Sequence, residues 1–149
     1  MFEFEEISYE TCLTLWKELW AERVSPIEPT SAMILPEDYA GRAYSNLIGP
    51  PTFIGVYDGI KLVGVNSFHD VGENQQRSRG LFVLPEYRGH GIGTALLRQT
   101  LAMRKPDKLM FSYPKEQAVT AYIQAGFKVV SERLFDPVEN KANYYVTSQ

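Results

Sequence analysis

The sequence is poor in the residues that carry most covalent and metal chemistry. It has one cysteine, Cys12, and two histidines, His69 and His90, in 149 residues. A single thiol can neither close an internal disulfide nor build a thiolate zinc cluster. The two histidines do not form an H-x-x-x-H pair, so the helical zinc motif is missing too and no metal is expected. No apolar run reaches the roughly 18 residues a membrane helix needs, and no membrane partner is expected. Positive charge is not in excess, since 15 Lys and Arg against 18 Asp and Glu give a net −3. That excludes the broad positive footprint of non-specific nucleic-acid binding. The opening stretch Met1-Phe2-Glu3-Phe4-Glu5-Glu6 is acidic and alternating, which is not the pattern of a signal peptide. With no export signal, a reducing cytoplasm is the expected setting.

What is present suits one packed domain over residues 1–149, as a monomer or homodimer, with 44% hydrophobic residues and 2 Trp, 9 Tyr and 8 Phe for a core. Phe2, Phe4 and Ile7 suggest a first strand. Ser8 can cap a helix from Tyr9 to about Arg23, with Leu13, Trp16, Leu19 and Trp20 at helical spacing. Pro36 stands where a second helix would open. Strands are expected around Phe53–Tyr57, from Lys61 to Val71 and from Arg77 to Val83, joined by turns at Asp58-Gly59 and Gly72–Gln75. A helix from Ile92 toward Pro106, a short strand Leu109–Ser112 and a helix carrying Ala118, Ala121, Tyr122 and Ala125 follow. Gly126 sits at the position of a left-handed cap, and strands Phe127–Phe135 and Asn143–Thr147 close the chain. The order is that of an α/β domain with a mixed sheet and about four helices.

The chemistry is concentrated in Val83-Leu84-Pro85-Glu86-Tyr87-Arg88-Gly89-His90-Gly91-Ile92-Gly93-Thr94. Here a strand runs into a glycine-rich loop that opens a helix. The first helical turn offers unpaired N–H groups and a partial positive charge, and glycine lets a phosphate approach the backbone. Arg88 through Thr94 therefore reads as a cradle for a phosphorylated ligand. It is not a P-loop, because no Gly-Lys precedes Ser or Thr. It is not the dinucleotide pattern either, because Thr94 holds the position of the last glycine and the loop follows an antiparallel meander.

The spacing that does fit is Arg88-x-x-Gly91-x-Gly93, with Val83-x-Pro85 upstream. In these residues the chain resembles the Gcn5-related N-acetyltransferase (GNAT) superfamily, whose R/Q-x-x-G-x-G/A motif binds the pyrophosphate of acetyl-coenzyme A. The segment from Ala118 through Tyr122 to Gly126-Phe127 resembles that family's A-x-x-x-Y-x-x-x-G-F stretch. The resemblance implies a single-domain GNAT-like fold with a mixed, mostly antiparallel sheet. That sheet would splay between the strand ending at Val83 and the strand Leu109–Ser112. It implies an acetyl-CoA-dependent N-acetyltransferase acting on a primary amine of a small molecule or protein by direct attack. Phe82 and Val83 would meet the pantetheine arm through their backbone. Arg88, Gly89, His90, Gly91, Ile92, Gly93 and Thr94 would hold the phosphates. Tyr122 would give a proton to the departing thiolate and the Val83 N–H would meet the oxyanion. One departure stands out, since Lys115 occupies a position where the family often has Asn. Lysine donates but cannot accept, so it would either meet a phosphate or point to solvent.

The acceptor side is less defined. Glu22 and Glu28, with Glu37 and Asp38 beyond, flank a proline-stiffened connection and could draw in a cationic amine. His69 shares strand parity with Val63, Val65 and Val71, so it could face inward and lie near the substrate. Arg77 and Arg79 read as exposed strand charges. Two other functions are compatible with the loop. One is a non-catalytic acyl-CoA-binding regulatory module, and the other is a protein that holds a different nucleotide at the same helix end.

Overall fold

The computed structural model describes residues 1–22, 47–136 and 141–148. Seven strands form one sheet. In chain order they are β1 (Phe2–Ile7), β2 (Leu47–Asp58), β3 (Lys61–Val71), β4 (Gln75–Val83), β5 (Leu109–Ser112), β6 (Lys128–Asp136) and β7 (Lys141–Thr147). Three α-helices accompany them among the described residues: α1 (Tyr9–Glu22), α2 (Ile92–Ala102) and α3 (Glu116–Ala125). The fourth helix expected at Pro36 falls outside the described residues. The lateral order is β1-β2-β3-β4-β5-β7-β6, and every neighbouring pair is antiparallel except β4 with β5.

Local chemistry explains the elements. The Ser8 hydroxyl accepts from the Thr11 N–H at 3.1 Å, the N-cap that satisfies a free donor of the first turn of α1. Trp16 and Cys12 on this helix are fully buried against the sheet. Burial pushes the Cys12 thiol up, which leaves it a small inert hydrophobe. On α2, Leu96 and Leu97 are fully buried. Gly126 ends α3 at φ 114°, a left-handed cap.

Two irregularities position the site. The register of β3 against β4 slips between Val65–Phe82 and Ser67–Arg79, so β4 carries one residue more than β3. The bulge falls at Gly80, whose φ is +81°. Trp16 locks it from above by donating its indole N–H to the Gly80 carbonyl at 2.8 Å. The second irregularity is the seam between β4 and β5. It has only the pairs Gln75–Leu109, Gln76–Met110 and Arg77–Phe111. Past Arg77 the two strands part, and β4 runs on to Val83 unpaired on that side.

Where the seam begins, Asp70 accepts from Gln76 Nε2 at 2.9 Å and lies 3.0 Å from Lys105 Nζ and 3.3 Å from Lys108 Nζ. Burial pushes its carboxyl up, but hydrogen bonds from Lys105, Gln76 and Lys108 outweigh that and hold it below the usual carboxylate range. A depressed carboxylate stabilises the fold above its unfolded pKa, and that contribution is lost as pH falls through the folded value. Asp70→Asn is therefore expected to cost about 2 kcal/mol at neutral pH. The loss should shrink on acidification, as denaturant melts across a pH series would record.

Candidate active site

The strand end, the glycine loop and α3 enclose a cleft of about 530 Å³. Leu84 N–H donates to the Val63 carbonyl at 2.9 Å. In an antiparallel ladder bonded and non-bonded pairs alternate. Val83, the neighbour paired with Gly64, must then turn its own N–H and C=O away from β3, toward the gap left by β5. Its carbonyl is met by Arg88, whose Nε donates to it at 2.7 Å. The Arg88 guanidinium folds back 5.3 Å from the centre of the Phe82 ring.

The loop is also anchored at this same end of the sheet. Tyr87 donates its hydroxyl to Asp58 at 2.9 Å, and Lys61 lies 3.7 Å from Glu86. This ties the short 3₁₀ turn Pro85–Tyr87 to the β2–β3 hairpin. Gly91 then serves as the N-cap of α2 at φ +80°, and no side chain caps the helix. A Cβ on Gly89 or Gly91 would meet nothing within 4 Å, whereas one on Gly93 would touch Leu81 and Val83 at 3.9 Å. The first-turn N–H groups of α2 thus face an open cradle, which fits a diphosphate.

Of the residues expected at a cofactor, Phe82, Val83 and the loop from Arg88 to Thr94 line this cleft, His90 excepted. His90 points to solvent. Lys115 is not among the lining residues; it opens α3 through its backbone, its carbonyl accepting from Ala118 and Val119. Gln117, Ala118, Ala121 and Gln124 of α3 form the opposite wall. Thr94 donates to Gln124 Oε1 at 3.1 Å, a clasp between the two helices. Gln117 and Gln124 carry no motif signal, and only their spacing with Ala121 on one helical face could have indicated them.

Tyr122 lies under the cleft, 3% exposed. Its ring stacks edge-on against Phe127 at 4.8 Å, and its hydroxyl is 2.9 Å from Ser78 Oγ. Asn66 Nδ2 in turn donates to Ser78 Oγ and to Thr100 Oγ1, both at 3.0 Å. Ser112 Oγ donates to the Ser78 carbonyl at 2.8 Å, just past the last β4–β5 pair. A buried polar chain therefore ends on the phenol at the point where the strands separate. Burial pushes the Tyr122 phenol up, while hydrogen bonds from Ser112 and Ser78 and the charge of Arg77 pull it back.

His69 does face inward and is 3% exposed. Burial, helped by the charges of Arg79 and Arg77, pushes its pKa down to about 4 against a hydrogen bond to the Asp70 carbonyl. It is neutral and a weak base at neutral pH. The reading of Arg77 and Arg79 as exposed strand charges is corrected. Arg79 is 5% exposed and Arg77 is half-buried, because a central strand is covered on both faces. Glu22 is the last residue of α1; Glu28, Glu37 and Asp38 lie outside the described residues. Among the described residues no three His, Cys, Asp or Glu side chains gather as a metal site, and no helix is long and apolar enough to cross a membrane.

The family model for the acetyltransferase (GNAT) domain matches residues 50–129. No curated protein matches by sequence. Among solved structures, Escherichia coli ElaA is similar over 100% of both chains at 18% identity and a TM-score of 0.70. Arabidopsis thaliana Naa50 in complex with the bisubstrate analogue CoA-Ac-MVNAL is similar over 99% of this chain and 98% of its own, at 19% identity and a TM-score of 0.69. The aminoglycoside acetyltransferase AAC(6')-Ib in complex with coenzyme A and kanamycin is similar over 99% and 94%, at 14% identity and a TM-score of 0.66. At these identities the likeness is one of fold.

Proposed function

The chain belongs to the acetyltransferase (GNAT) family, and on that premise we propose that it is an acetyl-CoA-dependent N-acetyltransferase acting on a primary amine. The observation that carries this reading is the coincidence of three features at one place. The uncapped start of α2 opens onto the cleft, Val83 turns its N–H toward the gap between β4 and β5, and the Tyr122 hydroxyl is held where those strands part.

In this scheme Arg88 and the N–H groups of the loop from Gly89 to Thr94 bind the pyrophosphate. Phe82 and Val83 receive the pantetheine arm as an added strand would be received. The neutral amine attacks the thioester carbonyl carbon, so a C–N bond forms and the C–S bond breaks. The Val83 N–H stabilises the oxyanion that develops on the way. Tyr122 gives its proton to the departing sulfur and is restored from water. The proton lost by the amine passes to solvent, since His69 is too weak a base to hold it. Lys115 stands outside this scheme, at the N-cap of α3.

Gly91→Asp tests the cofactor site. Aspartate tolerates the left-handed region better than most residues, and the space around Gly91 is open, so the variant should fold. A carboxylate at the helix start should repel the diphosphate and weaken acetyl-CoA binding by about 10- to 100-fold. Calorimetry on the folded variant reads this directly, and unchanged affinity would remove the loop from the site. Turnover of acetyl-CoA with a panel of amines then separates an enzyme from a binding module.

A further inference from the structure

The sheet face that carries α1 holds charges the scheme above leaves unused. Cross-strand partners share a face. Phe53 pairs with Ser67 and packs on Trp16 with ring centres 5.9 Å apart, so Ser67 and His69 look toward α1. Ser67 pairs with Arg79 and His69 with Arg77, which brings both arginines up on this same face. Asp70, between them in parity, turns to the opposite face and its lysines.

Arg77 is the telling residue. Its guanidinium sits over the Tyr113 ring at 5.2 Å, and no salt bridge to it forms among the described residues. Its Nε is buried without a hydrogen-bond partner. A buried charged donor with no acceptor is costly, and the natural relief is an oxyanion brought by a ligand. Arg77 is also the last β4 residue paired with β5, so it stands where the gap opens, and its charge is felt at the Tyr122 hydroxyl.

We propose that the acceptor amine also carries an oxyanion, a carboxylate foremost, which Arg77 binds on the α1 face at the mouth of the gap while Arg79 adds its positive field. This inference rests on the acetyl-transfer reading and replaces the cationic acceptor that Glu22 and Glu28 suggested. The planar guanidinium fork matches a carboxylate or a phosphate through two parallel hydrogen bonds. An acceptor held this way would present its amine toward the thioester from the side opposite α2 and α3.

Matched amines test it: L-phenylalanine against phenethylamine, L-lysine against cadaverine, and glucosamine 6-phosphate against glucosamine. The first two pairs probe a carboxylate and the third a phosphate. The carboxylate-bearing member of at least one pair should have the higher kcat/KM. Arg77→Gln should lower that value by about 30-fold or more, mainly through KM. The carboxylate-free partner, which never makes that contact, should lose far less, so the ratio between the two members of the pair is the readout. Arg77→Lys keeps the charge, loses the fork and should fall between. Preference for the carboxylate-free amine in both amino-acid pairs overturns the proposal, and preference for glucosamine 6-phosphate alone reassigns the oxyanion to phosphate and overturns the carboxylate. A turnover-free measurement runs beside this. With coenzyme A present, succinate should raise the wild-type melting temperature saturably where succinamide does not, and Arg77→Gln should abolish the rise. No succinate effect in the wild type overturns the anion site. Turnover restricted to amines without an oxyanion sinks this proposal and leaves acetyl transfer standing. Acetyl-CoA binding without turnover of any amine sinks acetyl transfer, and the succinate result still decides the anion site.

Discussion

Tyr122→Phe is expected to lower kcat by roughly 10²–10⁴-fold while acetyl-CoA affinity holds. The affinity should survive because the ring keeps its edge-on contact with Phe127 and Tyr122 does not line the cleft. The loss should come from the missing proton. A phenol whose pKa burial raises remains protonated at neutral pH, so it is loaded to neutralise a thiolate. The Ser78 and Ser112 hydroxyls that flank it can stabilise the phenolate left behind. Removing the hydroxyl also strips Ser78 of a partner, which should cost about 1 kcal/mol of stability. Single-turnover kinetics with denaturant melts on the same variant separates the two effects. A near-normal single-turnover rate with only the stability loss would make Tyr122 the structural end of the Asn66–Ser78 chain.

The second large effect is expected at Gly80. An added Cβ there would fall 2.4 Å from Trp16 Cζ2, on a backbone already at φ +81°. Trp16 is fully buried and has nowhere to retreat. Overpacking and the left-handed penalty together put Gly80→Ala at about 3 kcal/mol of destabilisation or more. The indole hydrogen bond to the Gly80 carbonyl would be strained in the same step. Trp16→Phe alone should cost stability by leaving a void. In that background, Gly80→Ala should cost less than in the wild type, the non-additivity of residues in contact. Equal costs in both backgrounds would mean that the backbone angle alone makes the position intolerant. Because the bulge sets the phase of Leu81 through Val83, folded Gly80→Ala should also bind acetyl-CoA less tightly.

Much of this was readable along the chain, and the reason is locality. The glycine spacing, the Ser8 cap and the Gly126 cap are each decided by a few adjacent residues, and each stands where the sequence puts it. β3 and β5 have the expected limits because apolar runs bounded by turn residues define them. The arginines of β4 were misread because charge on a strand ordinarily means solvent. What reverses this is lateral position: β4 lies between β3 and β5, a fact no single strand contains. The lone glycine inside Arg79-Gly80-Leu81 did carry a signal for a bulge, but its clamp, Trp16, is 64 residues away. Tyr122 shows the limit in another form. The apolar stripe with Ala118, Ala121 and Ala125 is real, yet it divides. Ala118 and Ala121 face the cleft, and Tyr122 and Ala125 face the core.

The strand order also fixes how the molecule can be assembled in time. β2, β3 and β4 follow one another as hairpins, so their pairings close short loops and can form early. β5 can pair with β4, but its other edge waits for β7, because the strand nearest it in sequence, β6, lies at the far edge and pairs only with β7. The C-terminal strand must therefore slot in between before the region under α3 is complete. During synthesis the glycine loop would emerge and fold against the hairpins with one wall of its cleft still missing. A ligand spanning α2 and α3 touches both the early and the late part of the chain. By mass action it stabilises the last seam to close as well as the first, so proteolytic resistance of the C-terminal strands should rise with cofactor concentration.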